Sequence, residues 1–313
     1  MSSKKGSLAK KVLTLGAIAA VPATYVTVGN NIFNKMFVIN KAYKDKDLLE
    51  SLPDDYTKEQ YRLSLVDNLS WFKASKISKL QIQSYEGLTL DAVKITNHSS
   101  AAPFMILVHG LNTDRYALLQ QAHEFDKMGF NLLMIDQRGF GQSAGEFTSY
   151  GFKESLDLLQ WIEYLVDNDA KVKIGLYGVS LGAATVLNVL GYQLPENVVF
   201  AISDAAYTSM TDLIKLRAKT PVLTSYVCNR VSSVLGIDPK EVNLIRVVKQ
   251  TRIPILFMHG SDDKIIPVDM CNILFNCANG PKEIYITENG NHAYNCYKEG
   301  YFKAICDFIK NIL

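Results

Sequence analysis

The chain has 313 residues, of which 48% are hydrophobic and 20% charged, and a formal net charge of +2. That apolar fraction fills a substantial core, in one large domain or two small ones. The near-balanced charge points neither to nucleic acid nor to a strongly acidic partner, and no internal repeat or low-complexity tract is present.

The first 34 residues read as a hydrophobic anchor or signal-like segment. Lys4, Lys5, Lys10 and Lys11 precede an uncharged stretch at 12–34 whose apolar part, 12–28, is interrupted by Pro22 and several threonines. Spanning a bilayer takes about 20 apolar residues. The run is therefore marginal, but sufficient with its uncharged flank, and no cleavage site is convincing. An uncleaved membrane helix is expected, with the lysines cytoplasmic and the following domain outside. Residues 35–78 are mixed and charged and suggest helices linking anchor to domain. Whether Trp71 and Phe72 in this stretch pack on the domain or sit at a pocket rim is left open.

From Leu80 onward, apolar strand-like runs alternate with helical segments, which predicts a mostly parallel sheet with helices on both faces. Runs at 80–84 and 88–96, split by Tyr85-Glu86-Gly87, read as an antiparallel hairpin leading in. Helices are expected at 115–128, 151–166, 180–191 and 297–312. Residues 207–250 interrupt the alternation with helical segments at 211–218, 226–235 and 241–249, broken by Pro221 and by Gly236 to Pro239.

One stretch carries the chemistry. An apolar strand from Lys171 ends in Gly178-Val179-Ser180-Leu181-Gly182, and a helix-forming run follows at once. A serine hydroxyl is a poor nucleophile until geometry and a base activate it. A sharp strand-to-helix turn would raise the Ser180 oxygen above the sheet edge, and its crowding calls for glycine on both sides. The helix N-terminus adds backbone donors, with the Leu181 N–H aimed at a developing oxyanion. An acid and then a histidine follow in chain order. A strand from Ile253 ends in His259-Gly260-Ser261-Asp262-Asp263, and a strand from Lys282 ends in a loop with Gly290-Asn291-His292. Such loops share one edge of a parallel sheet. His292 would take and return the serine proton while the acid fixes its tautomer.

These stretches, together with Ile106-Leu107-Val108-His109-Gly110 and Asp136 to Ser143, resemble a serine hydrolase of the α/β-hydrolase superfamily. The likeness is greatest to membrane-anchored or secreted bacterial carboxylesterases, lysophospholipase-like enzymes and serine aminopeptidase-type proteins. It covers residues 79–313 and implies an α/β-hydrolase fold with 207–250 as a small helical cap over the pocket. There Leu213, Leu216, Val222, Leu223, Tyr226 and Val227 would line an acyl site or simply pack on the sheet. The family pattern implies Asp263 as the acid, with Asp262 and then Asp204 as alternatives. It also implies Leu111 N–H as the second oxyanion donor, beside Leu181. His109 and His259 are then structural, and His98 and His123 have no role in the site. Arg138 would tie loops together near it.

The expected activity is hydrolysis of a small-molecule carboxylic ester or related acyl compound through an acyl-enzyme. A peptidase or amidase of the same fold, and a catalytically silent envelope binding protein, remain alternatives. No zinc-site spacing, His-Glu-x-x-His or phosphate loop occurs, and the reaction needs no cofactor. Five cysteines, an odd number without a regular framework, suit a reducing environment and oppose an outside location.

Overall fold

The computed structural model describes residues 24–45, 52 and 54–313. Their strands form one eight-stranded sheet in the order β1-β2-β4-β3-β5-β6-β7-β8. β1 (Ile77–Gln83) and β2 (Thr89–Ile95) make the antiparallel hairpin expected from the sequence, and β2 pairs antiparallel with β4 (Asn131–Ile135). From β4 onward every pairing is parallel, through β3 (Phe104–Val108), β5 (Ile174–Val179), β6 (Val198–Asp204), β7 (Ile255–Gly260) and β8 (Lys282–Thr287). Every residue of β3, β4, β5 and β7 is buried, as required of strands covered on both faces.

Successive strand residues feed opposite cores. Ile106, Val108 and Leu176 pack with α4 (Phe152–Asn168) and α5 (Leu181–Val189). Met105, Leu107 and Tyr177 pack with α3 (Leu119–Lys127) and α10 (Tyr301–Lys310) on the other face. This two-residue period sets the layers. The expected helix at 115–128 is a 3-10 turn (Arg115–Leu118) followed by α3, and the one at 297–312 begins only at Tyr301.

Residues 207–250 hold α6 (Met210–Ala218), α7 (Pro221–Leu235) and α8 (Leu244–Gln250), and α9 (Val268–Cys277) follows β7. Pro221 begins α7 instead of breaking a helix. Thr220 caps it, accepting from Leu223 N–H at 3.3 Å, and proline at the first helical position lacks a donor the helix could not use there. The last expected segment starts at Leu244, not Glu241, because Asn243 caps it. Leu213, Leu223 and Val227 are core residues and Tyr226 is half-buried, whereas Leu216 and Val222 are exposed.

The expected anchor, residues 1–34, lies outside the described residues as far as position 23. Its remainder belongs to the domain. Residues 24–37 form a helix, α1, whose Gly29, Phe33, Met36 and Phe37 fall on one face and are buried. Gly29 lies flat on the Tyr226 ring, where a Cβ would collide. The Tyr226 hydroxyl donates to Asn30 at 2.9 Å, and the Arg230 guanidinium sits over the Phe33 ring at 5.6 Å. After α1 the chain is stitched to the 139–148 loop, by Ile39 N–H to Glu146 O and Thr148 N–H to Phe37 O (both 2.9 Å). Gly141 N–H donates to the Tyr43 hydroxyl at 2.7 Å. Among the described residues no helix is long and apolar enough to cross a membrane.

Helix α2 (Asp55–Ala74) lies on α3. The Trp71 ring stacks on His123 at 4.8 Å and its N–H donates to Asp126 at 2.8 Å, while Phe72 meets Tyr116 edge-on. Both aromatics therefore pack against the domain.

Candidate active site

β5 delivers Ser180 to the C-terminal edge of the sheet. The helix expected from 180 begins at Leu181, because Ser180 itself has φ 55° and ψ −113°. This left-handed backbone costs a non-glycine residue about 1–3 kcal/mol and persists only where the surroundings impose it. The neighbours show how. A Cβ on Gly178 would strike the Gly182 carbonyl, and one on Gly182 would strike the carbonyls of Val108 and His109. The two glycines let helix, strand and the β3 loop converge beneath the serine.

The β8 loop brings His292 alongside. Its Nε2 lies 2.8 Å from Ser180 Oγ, and its Nδ1 lies 2.6 Å from Asp263 Oδ2. Gly260 permits this approach, since a Cβ there would strike the Gly290 carbonyl. The structure thus brings Ser180, Asp263 and His292 into one hydrogen-bonded line. Ser180 and the His292 ring keep partial access to solvent, whereas the Asp263 carboxylate has none.

Asp263 is held from four directions. Oδ1 accepts from the Ile265 and Ile266 N–H groups at 2.8 and 2.9 Å, and Oδ2 accepts from both His292 and His259, the latter at 3.1 Å. Burial works to raise its pKa, but the two imidazoles and the Ile266 N–H overcome it and hold the carboxyl well below the ordinary range. His259 is fully buried; its Nε2 also reaches the Ile266 carbonyl at 2.9 Å, and the ring lies beside the Cys271 thiol. Burial pulls its pKa down, yet bonds to Asp263, Cys271 and Ile266 raise it to about 10. The sequence reading made His259 structural and missed its bond to the acid. The spacing of four between His259 and Asp263, across the turn after β7, was the available signal.

The alternatives to Asp263 stand elsewhere. Asp262 is exposed, within 3.4 Å of the Ser261 hydroxyl. Asp204 is buried, and burial raises its pKa. It accepts at 2.8 Å from the Tyr301 hydroxyl, itself 2.7 Å from that of Tyr177.

Leu181 opens α5, so its N–H has no acceptor within the helix. The β3 loop lies across from it: a Cβ on Gly110, the residue before Leu111, would sit 3.5 Å from Val179 O and 3.6 Å from Ser180 Cβ, which puts Gly110 next to the serine. His109 is locked beneath. Its Nδ1 donates to Gly110 O at 2.7 Å, and its Nε2 accepts from Gln137 N–H at 3.0 Å. Burial outweighs the pull of Asp136 and lowers its pKa, so the ring is neutral. Gln137 spans the site's floor, donating to His109 O at 2.7 Å and accepting from the Thr185 hydroxyl at 2.8 Å.

Two buried arginines brace the loops behind. Arg138 clasps Asp157 of α4 with two bonds of 2.7 Å and reaches Glu86 at 2.6 Å, so it ties loops as expected. Arg115 joins Asp91 and Asp136. His98 bonds the Asp126 carbonyl and His123 packs on Trp71, both away from the serine. The five cysteines are free. Among the described residues no group of three or more His, Cys, Asp or Glu side chains is placed to hold a metal ion.

Comparison with known proteins agrees with this architecture. The profile of the family described as "Serine aminopeptidase, S33" matches residues 99–238. The uncharacterized protein YqkD of Bacillus subtilis is 28% identical over 97% of this chain and 98% of its own length. Protein bem46 of Schizosaccharomyces pombe is 25% identical over 74% of this chain and 76% of its own. Among solved structures, the esterase Pf2001 of Pyrococcus furiosus superposes with a TM-score of 0.63. It is 21% identical, covering 76% of this chain and 93% of that one, a likeness of fold. With the sheet order, the serine turn and these matches together, the chain has an α/β-hydrolase fold and resembles the serine hydrolases of that superfamily.

Proposed function

We propose that the protein is a serine hydrolase that cleaves a carboxylic ester or related acyl compound. The observation that carries this reading is the unbroken line Ser180 Oγ, His292, Asp263, with the serine on a strained turn open to solvent. His292 Nε2 accepts the Ser180 proton as Oγ attacks the acyl carbonyl. The resulting oxyanion takes hydrogen bonds from Leu111 and Leu181 N–H. As the intermediate collapses, His292 passes the proton to the departing alkoxide, leaving an acyl-serine. Water, deprotonated by the same histidine, then releases the acid. Asp263 keeps the Nδ1–H tautomer and stabilises the imidazolium. None of these steps draws on a cofactor. The 207–250 helices, rising from the sheet edge that carries Ser180, act as the cap over the acyl site.

Amide hydrolysis is a second reading, favoured by the family description "Serine aminopeptidase". The N-terminal lysines and apolar run support attachment of the protein to a membrane.

Ser180→Ala is expected to cut turnover of short p-nitrophenyl esters by roughly 10⁴-fold or more and to abolish labelling by a fluorophosphonate, with the fold unchanged. Full turnover in that variant refutes the reading. Parallel profiling on aminoacyl amides separates esterase from amidase, and no labelling of the wild-type protein points to a silent binding protein.

A further inference from the structure

The helices α1 and α7 run side by side in the same direction, since Gly29 meets Tyr226 and Phe33 meets Arg230, one turn further along both. One turn back, Tyr25 and Val26 of α1 therefore stand beside Val222 of α7. All three are exposed, at 41%, 44% and 62%. Residues 207–250 carry seven lysines and arginines against three acidic side chains, and every one of the seven is exposed. The first 44 residues carry seven lysines and no acidic residue. The whole chain is only +2, so the remainder is net acidic and the positive charge is concentrated in these two segments of sequence. With α1 engaged in the domain core, the uncharged run before it shrinks to 12–23, well short of the about 20 residues a spanning helix needs. Exposed apolar side chains on two segments of net positive charge, following a short basic and apolar stretch in the sequence, suit the interface of an anionic bilayer rather than its interior.

We propose that the α1–α7 face docks flat on an anionic lipid surface, with Tyr25, Val26 and Val222 entering the headgroup layer. The insertion that carries this face leaves the sheet at the edge holding Ser180, so docking sets the catalytic edge close to lipid-borne acyl substrates. The proposal deepens the membrane-attached reading above and is independent of the chemistry at Ser180.

The test uses the full chain with tryptophan introduced as Val222→Trp or, on the exposed side of α2, as Val66→Trp. Each variant is mixed with vesicles of phosphatidylcholine alone or with phosphatidylglycerol, bearing brominated acyl chains. Binding to the anionic vesicles is expected to be ~10-fold tighter or more and to weaken with salt. Emission of Val222→Trp shifts to the blue and is quenched beyond the wild-type background, while that of Val66→Trp is not. Binding without quenching at 222 means that the N-terminal segment attaches alone, which overturns the docking face and leaves membrane attachment standing. Quenching at 66 instead, or equal affinity for neutral vesicles, also overturns it. Failure to bind either vesicle removes membrane attachment as well, with the esterase assay unaffected.

Discussion

Replacing His259 with glutamine tests how the acid of the site is tuned. His259 and His292 donate to the same Asp263 oxygen, at 3.1 and 2.6 Å. The groups facing His259 are Asp263, the Ile266 carbonyl and the Cys271 thiol, with Asp204 farther off. Glutamine keeps a donor for Asp263, whereas His259→Leu removes it. Losing a hydrogen bond to a buried carboxylate costs about 1.5–3 kcal/mol, so His259→Leu should be less stable by about that amount and His259→Gln by distinctly less. The kcat of ester hydrolysis at neutral pH should stay near the wild-type value in His259→Gln and fall in His259→Leu, with circular dichroism to verify the fold. Equal stability and equal kcat in the two folded variants refute the argument. The same group gives a stability signature. A folded pKa above the ordinary 6.5 contributes stability that is complete below about 6.5 and is lost as pH rises toward 10. Melting temperature should fall over that window in the wild type, and less steeply in His259→Gln.

Two further substitutions separate neighbouring readings. Asp263→Asn should lower kcat by roughly 10⁴-fold, since the amide no longer enforces the Nδ1–H tautomer, whereas Asp204→Asn, which alters only the bond to Tyr301, should leave the chemistry nearly intact; the reverse ranking would move the acid to β6. Gly29→Val forces a Cβ into the Tyr226 ring and should cost about 1–3 kcal/mol of stability. Limited proteolysis would then cut between α1 and α2 sooner, and an unchanged digestion pattern would show that α1 does not depend on this contact.

Much of the fold was legible because its signals are local. Alternation of apolar runs and helical segments marked a parallel sheet, the Tyr85-Glu86-Gly87 turn marked the hairpin, and glycines at 178 and 182 marked a place where backbones approach too closely for a side chain. The order serine, acid, histidine follows from strands that end on one edge. Boundaries were less legible where a cap decides them. Pro221 reads as a breaker in a list of residues and as a helix start once Thr220 is seen to cap it.

What the sequence determined by itself was therefore the set of chemical groups and the order in which the sheet presents them, since periodicity and turn chemistry depend on near neighbours. What only the tertiary structure decided was which distant groups meet. Residues 24–34 are uncharged like the stretch before them, and that shared lack of charge joined the two into an anchor. The Tyr226 ring, 197 positions beyond Gly29, makes them part of the domain. His259 and His292 lie far apart in the chain and share one carboxylate oxygen, because parallel strands end side by side and their loops converge.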